Sequence, residues 1–194
     1  MDAVSRGSVI NLIQYSEKPV IVADTPFLVF RGCQDCRWTK ESIYHRLTLL
    51  CAFHAGRFPD RQDRRTIAGD LCALYSNCPN HGSEHGRILK AGDFNYFTWG
   101  TNLTQYKHQN EPLENIWEEP GVKLNSNFDW ERNYNFFKSL VRYFPQCKIR
   151  THEVIWNKIK KHLTREQVND ICTHIFCDRG LTYNHHIHFH VDFF

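Results

Sequence analysis

Four histidines lie within six residues of the segment TYNHHIHFHVDFF, which runs from Thr182 to Phe194. Apolar residues alternate with most of them, so the segment is predicted to be a β-strand whose successive side chains point to opposite faces. His186, His188 and His190 then share one face, where neighbours lie about 6.6–7 Å apart. Imidazoles at that spacing could bind one metal ion, with zinc the expected ion, or could form a solvated polar face.

The other face of this predicted strand is largely apolar and is expected to cover the core. Its members alternate with the three histidines and are Tyr183, His185, Ile187, Phe189, Val191 and Phe193. Asp192 adds a carboxylate to the histidine face. A catalytic histidine on that face is therefore an alternative to a metal ligand.

The string HIHFHV resembles two known motifs. It is similar to the histidine-triad motif of nucleotide hydrolases and transferases, and this resemblance implies that His188 attacks a phosphate. It also resembles the paired-histidine motif of enzymes that nick and relax nucleic acids. That resemblance implies a metal ion that polarises a phosphate and a tyrosine nucleophile, for which Tyr15 is the candidate.

Cysteine and histidine pairs predict a second metal site. Cys33 and Cys36 are separated by two residues, as are Cys51 and His54, which is a spacing typical of structural zinc sites. Cys51 and His54 follow the apolar stripe of a predicted helix, however, and are expected in the core. The preferred second pair is therefore Cys78 and His81 (or His85), and two unrelated thiols at Cys33 and Cys36 remain the alternative.

Cys36 is also a candidate nucleophile. It lies just before a predicted helix, whose positive N-terminal end favours a thiolate. The string CQDCRW resembles the nucleophile region of papain-like cysteine proteases, and by that resemblance His190 and Asp192 would complete the order Cys, His, Asp.

Composition and charge limit the classes of protein. The 194 residues are 41% hydrophobic, 23% charged and carry a formal net charge of +3, which is typical of a globular protein. No apolar run approaches the roughly 18 residues that cross a bilayer, and the first residues lack a secretory pattern. We therefore expect an intracellular (cytoplasmic or nuclear) protein with mostly reduced cysteines and no membrane partner.

Two basic clusters favour nucleic acid, or else a protein, as the partner. The first cluster contains Arg57, Arg61, Arg64 and Arg65, and the second contains Lys148, Arg150, Lys158, Lys160, Lys161 and Arg165. Acidic residues accompany the second cluster, so a solvated basic face is the alternative interpretation.

Periodicity predicts the elements that position these residues. Helices are predicted at 39–55, 64–75, 129–144, 152–163 and 165–179. Strands are predicted at 8–15, as a pair within 18–32, at 94–103 and at 182–193, with loops at 77–92 and 104–127. The fold class is α+β, with a mixed or antiparallel sheet formed by the N-terminal strands and the C-terminal strand and packed with four to five helices. One domain is expected over 1–194, with a subdivision into 1–103 and 128–194 as the alternative.

The leading functional hypothesis is a zinc-binding intracellular protein that contacts nucleic acid or a protein partner. Its predicted ligands are Cys33, Cys36, Cys78, His81, His186, His188 and His190. One alternative is an enzyme of phosphoester chemistry, either histidine-triad-like or metal-dependent nuclease-like, that uses the histidine strand. The other is a cysteine hydrolase with Cys36 as nucleophile.

Overall fold

The computed structural model describes residues 18–31, 36–61, 63–69, 71, 90–100, 116–180 and 185–194. These residues form a mixed six-stranded sheet, two small antiparallel sheets and four α-helices. The predicted α+β class is therefore confirmed, and the strand near the C-terminus joins N-terminal strands in one sheet.

The six-stranded sheet is formed by β2 (Leu28–Phe30), β4 (Thr66–Ala68), β5 (Ala91–Asn95), β8 (Lys148–His152), β9 (Ile175–Asp178) and β10 (His188–Asp192). Its strands lie in the order β2-β4-β5-β10-β8-β9. Two of the strand pairs, β2 with β4 and β8 with β9, are parallel, and the other three are antiparallel.

The two small sheets lie outside this order. Strand β1 (Pro19–Ile21) pairs with β3 (Trp38–Lys40), so the two strands predicted within 18–32 exist but pair with different partners. Strands β6 (Trp117–Glu119) and β7 (Lys123–Leu124) form a hairpin. Gly121 in its turn has φ of 74°, a left-handed conformation that glycine adopts without steric cost.

Helix α1 (Glu41–Arg57) corresponds to the helix predicted at 39–55. Its predicted stripe is buried, and this stripe consists of Ile43, Leu47, Leu50, Cys51 and His54. Helix α2 (Trp130–Tyr143) begins after Asp129, whose side chain accepts a hydrogen bond from the Arg132 backbone N–H. Asp129, the first residue of the helix predicted at 129–144, is therefore its N-cap and satisfies a backbone donor that the helix itself cannot pair.

Two shorter helices follow. Helix α3 (Glu153–Lys160) lies within the helix predicted at 152–163. Helix α4 (Arg165–Asn169) starts with a capping box, in which the side chains of Thr164 and Gln167 each accept a hydrogen bond from the other residue's backbone N–H.

The sheet and the helices share one core, and β10 lies in the middle of it. Phe189 contacts the rings of Phe94 and Tyr96 on the sheet and those of Phe136 and Phe137 on α2. Phe189 and Val191 are fully buried, so the apolar face predicted for the histidine strand is confirmed over its described part.

Three element predictions were wrong. Residues 66–68, expected in a helix at 64–75, form β4, where Thr66 and Ala68 are buried on alternate positions. The helix predicted at 165–179 ends at Asn169, and Ile175–Asp178 form β9. The loop predicted at 104–127 contains the β6–β7 hairpin.

Other boundaries were also displaced. The strand predicted at 94–103 begins earlier, at Ala91, and ends at Asn95, and β8 was not predicted at all. The strand predicted at 8–15 lies outside the described residues. The main sheet contains strands from both 1–103 and 128–194, the two parts of the alternative subdivision. The single domain over 1–194 remains a prediction.

Candidate functional site: a histidine–aspartate cluster

The histidine face of β10 meets carboxylates from neighbouring strands. His188 and His190 point away from the buried Phe189 side, as the strand alternation predicted. Strand β5 runs antiparallel beside them, with His190 opposite Asp93 and His188 opposite Asn95. Asp93 therefore projects from the same face of the sheet as the two histidines.

Asp93 contacts both histidines through one oxygen atom. Asp93 Oδ1 lies 2.9 Å from His190 Nδ1 and 3.6 Å from His188 Nε2. The backbone register fixes this grouping, because directly opposed residues in antiparallel strands have neighbouring side chains. The cluster thus contains two imidazoles and a shared carboxylate.

His190 lies between two carboxylates. Its Nε2 is 3.0 Å from Asp192 Oδ1, while its Nδ1 bonds Asp93. Burial alone would lower the pKa of His190, but hydrogen bonds and charges from Asp192 and Asp93 raise it to about 9. Burial alone would raise the pKa of Asp192, but His190 and Arg150 lower it. At neutral pH, His190 is therefore an imidazolium in this arrangement.

His188 has the opposite protonation state. Burial lowers the pKa of His188 to about 4, and the negative charge of Asp93 offsets this only in part. At neutral pH its imidazole is uncharged and keeps a nitrogen lone pair. That is the form of histidine that binds a metal ion or accepts a proton.

A second histidine–aspartate pair adjoins this cluster. His185 Nδ1 contacts Asp178 Oδ2, which β9 supplies. The His185 ring centroid lies 5.6 Å from that of His188 and 6.2 Å from that of His190. His185 was assigned to the apolar face, but β10 begins only at His188, so the alternation does not extend back to it.

His186, a predicted metal ligand, lies apart from the described contacts of this cluster. Its backbone carbonyl accepts a hydrogen bond from Trp117 Nε1, and Trp117 in turn contacts the His152 ring. Burial lowers the pKa of His186, and the charges of His152 and His185 add to this effect. The sequence-based pattern placed His186 beside His188, whereas the turn before β10 separates them.

The predicted cysteine site is described only at Cys36. Its sulfur is in a disulfide, so the expectation of reduced cysteines fails there, although Cys51, Cys147, Cys172 and Cys177 are free. A disulfide sulfur is neither a thiolate nucleophile nor a zinc ligand, so both predicted roles of Cys36 require reduction of this bond. The other predicted ligands of the site lie outside the described residues and are Cys33, Cys78 and His81.

Asp93, His188 and His190 offer nitrogen and oxygen donors of the kind that bind transition metals. In this structure these donor atoms contact one another. In this arrangement no group of three His, Cys, Asp or Glu side chains within the described ranges is positioned to hold a metal ion, so binding one would require these side chains to reorient. His190 turns both ring nitrogens towards carboxylates, which is the arrangement of a protonated imidazole. A divalent ion near Asp93 would take the place of that proton, since two imidazoles and a carboxylate form a familiar zinc ligand set.

Sequence reasoning missed Asp93, Asp178 and His185. A signal for Asp93 existed, because an acid between Gly92 and Phe94 interrupts an apolar stretch. Nothing in the sequence connects it to His190, which lies 97 residues further along the chain.

Two of the four arginines in the first basic cluster form ion pairs with aspartates of the protein itself. Arg61 is buried and pairs with Asp129 at 2.8 Å, and its guanidinium lies 3.6 Å from the centre of the Trp99 ring. Arg65 pairs with Asp63 at 2.9 Å. Only Arg57 and Arg64 of this cluster are solvent-exposed without a described acidic partner. Contact with nucleic acid or protein stays a prediction.

No protein-family model matches this chain, and no curated protein matches it significantly. None of the helices among the described residues has the length and apolar character needed to cross a membrane. Any functional assignment therefore starts from the geometry of the cluster.

Proposed function

We propose that the protein is a metal-dependent hydrolase whose centre is formed by Asp93, His188 and His190, with zinc as the first candidate ion. The observation that carries this proposal is the position of the Asp93 carboxylate. Its Oδ1 atom lies 2.9 Å from His190 Nδ1 and 3.6 Å from His188 Nε2. Such a largely buried set of mixed nitrogen and oxygen donors fits zinc better than calcium or magnesium, which prefer oxygen ligands.

Each residue would have a distinct part. Asp93, His188 and His190 would hold the ion, and Asp192 would orient the His190 ring as carboxylates do next to many metal-bound histidines. A bound ion would polarise a carbonyl or phosphoryl oxygen and favour deprotonation of water. His185, which Asp178 orients, is close enough to the cluster to exchange a proton with a substrate or with water.

The test is zinc stoichiometry in protein first stripped with a chelator. We expect about one zinc ion per chain, with an increase in melting temperature on binding. Asp93→Asn and His190→Gln should abolish this uptake at unchanged secondary structure. His162→Gln is the matched control, because this imidazole stacks on Trp130 outside the cluster and should leave uptake unchanged.

Turnover then follows with phosphodiester, ester and peptide substrates. Activity that chelator removes and zinc restores would support the proposal. Zinc uptake that persists at full stoichiometry in both Asp93→Asn and His190→Gln would contradict it.

A second function is supported by the neutral state of His188. An uncharged imidazole beside Asp93 is also suited to nucleophilic attack on a phosphate, the role that the histidine-triad resemblance implies. This alternative predicts nucleotide turnover that chelator does not affect and that His188→Gln abolishes. A phosphorylated His188 in trapped intermediates would identify it.

A further inference from the structure

A row of side chains crosses the histidine face of the sheet, from the cluster towards the strand that ends the described order. Asp93 on β5 lies opposite His190 on β10, which lies opposite Arg150 on β8. Arg150 in turn lies opposite Phe176 on β9. Because opposed residues of neighbouring strands project from the same face, these four side chains lie side by side. At about 4.8 Å per strand, the backbones of His190 and Phe176 are about 10 Å apart.

Arg150 supplies a positive charge directly beside the histidine cluster. Its Nε lies 3.5 Å from Asp192 Oδ2, and 40% of its side chain is exposed. A guanidinium carries five N–H donors, and the contact with Asp192 involves only the Nε side. Arg150 therefore retains donors for an anionic group that approaches the cluster from solvent.

Two exposed aromatic rings extend this surface beyond Arg150. Phe176 is 45% exposed and Phe194 is 55% exposed. The Lys148 ammonium is close to both, at 5.7 Å from the centre of the Phe176 ring and 5.4 Å from that of Phe194. Single exposed apolar residues are common, but two rings around one cation form a patch. We call Lys148, Arg150, Phe176 and Phe194 the aromatic–basic surface.

The carboxylates on this face are engaged by nearby groups. Asp192 contacts both Arg150 and His190, which is protonated at neutral pH. Asp178, two residues beyond Phe176, contacts His185. A zinc ion in place of the His190 proton would add one further positive charge. An anionic ligand therefore meets a favourable potential at this surface.

Cations and exposed rings together specify the chemistry of the ligand. An acidic peptide would pair with the cations but would leave the rings uncovered. Single-stranded nucleic acid matches both features, because each nucleotide joins a phosphate to a base whose flat face can stack on an aromatic side chain. A duplex does not, because its bases are stacked on one another in its interior.

We infer that the aromatic–basic surface binds single-stranded nucleic acid, with a phosphate at Arg150 and a base stacked on Phe176. This inference names the substrate class of the proposed hydrolase and rests on that proposed function for cleavage. Hydrolysis of the phosphodiester would join a water oxygen to phosphorus and break the P–O bond to one sugar. One proton of the water would pass to the departing sugar oxygen and the other to solvent.

The test is the binding of fluorescein-labelled oligodeoxythymidylate of about twelve nucleotides, measured by fluorescence anisotropy in the presence of a chelator. We expect saturable binding that weakens as the salt concentration rises. Phe176→Ala should weaken it about tenfold, because one stacked base is lost, and should leave the salt dependence unchanged. Phe176→Trp should preserve the affinity. Arg150→Gln should reduce the slope of log affinity against log salt by about 0.7, the value for one phosphate contact with a single strand.

Phe53→Ala and Arg46→Gln are the matched controls. Both residues are exposed on α1, whose buried stripe belongs to the core on the opposite side of the sheet from the histidine face. Neither variant should change the affinity or its salt dependence. A loss in Phe53→Ala as large as that in Phe176→Ala would overturn the inference. Equally strong competition by polyglutamate, or tighter binding of the corresponding duplex, would also overturn it.

The chelator separates this inference from the proposed function, because no metal ion takes part in the binding measurement. Binding that depends on Phe176 and Arg150 supports the inference even if the protein takes up no zinc. The absence of saturable binding, or equal affinity in Phe176→Ala and the unmodified protein, overturns it even if zinc binds and another ester is hydrolysed.

Discussion

His54 is a buried histidine in an apolar environment. It lies on the buried stripe of α1, and the aromatic rings of Phe58, Phe97 and Phe136 surround it at 4.6–5.1 Å between centroids. Neither ring nitrogen has a hydrogen-bond partner among the described residues. Burial, together with the smaller effect of the positive charges of Arg132 and Arg57, lowers the pKa of His54 to about 3.

This pKa makes the stability of the protein sensitive to acid. Because the unfolded chain binds a proton near pH 6.5 and the folded chain only near pH 3, the stabilisation is complete above pH 6.5 and declines as the pH falls towards 3. We predict that His54→Leu removes this contribution, which amounts to about 2 kcal/mol between pH 7 and pH 5. Urea unfolding of both proteins at these two pH values measures it.

The control for this prediction is His45→Leu. His45 lies on the exposed side of the same helix, so its replacement should leave the pH dependence unchanged. An acid sensitivity that is equal in His54→Leu and the unmodified protein would show that His54 is not its source.

The stability of helix α2 depends on the carboxylate of its N-cap residue, Asp129. Asp129 is fully buried, accepts the Arg132 N–H and pairs with Arg61 Nε at 2.8 Å. We predict that Asp129→Ala lowers the free energy of unfolding by about 3–5 kcal/mol, because it removes the buried counter-ion of Arg61 and leaves only the exposed carboxylates of Asp60 and Glu131, and because it also removes the N-cap. Chemical denaturation gives the value.

Asp60→Ala provides the comparison. Asp60 contacts the same Arg61, but its side chain is 68% exposed, so water can replace it. A loss below about 1 kcal/mol is expected there. Similar losses in the two variants would contradict the importance assigned to the buried pair.

At the scale of elements, the long helices were predictable, whereas the short strands β4 and β9 were not. Helix α1 displays an apolar stripe from Ile43 to His54, and Asp129 marks the start of the next long helix. Strands β4 and β9 contain only three and four residues. So short a segment carries no reliable period, and its pairing with distant strands determines its conformation.

At the scale of the whole molecule, β10 connects the two parts of the chain. It pairs with β5 on one side and with β8 on the other, and Phe189 packs between the sheet and α2. We predict that Phe189→Ala destabilises the protein by about 3–5 kcal/mol through the cavity that it leaves. The variant should still unfold in one transition by both fluorescence and circular dichroism.

Phe194→Ala serves as the reference for this substitution. Its side chain is 55% exposed beside Lys148, so a loss of less than about 1 kcal/mol is expected. Two separate unfolding transitions in the unmodified protein would support the alternative subdivision into two domains.

The sequence by itself determined the α+β class, the two long helices with their buried stripe and cap, and the face of β10 that carries His188 and His190. These features depend on periods of 3.6 and 2 residues, which neighbouring residues encode directly. Only the tertiary structure decided that Asp93 and Asp178 accompany the histidines, that His185 joins the cluster and that His186 lies apart from it. Those relations depend on strand order and register, which join residues far apart in the chain and which no local pattern records.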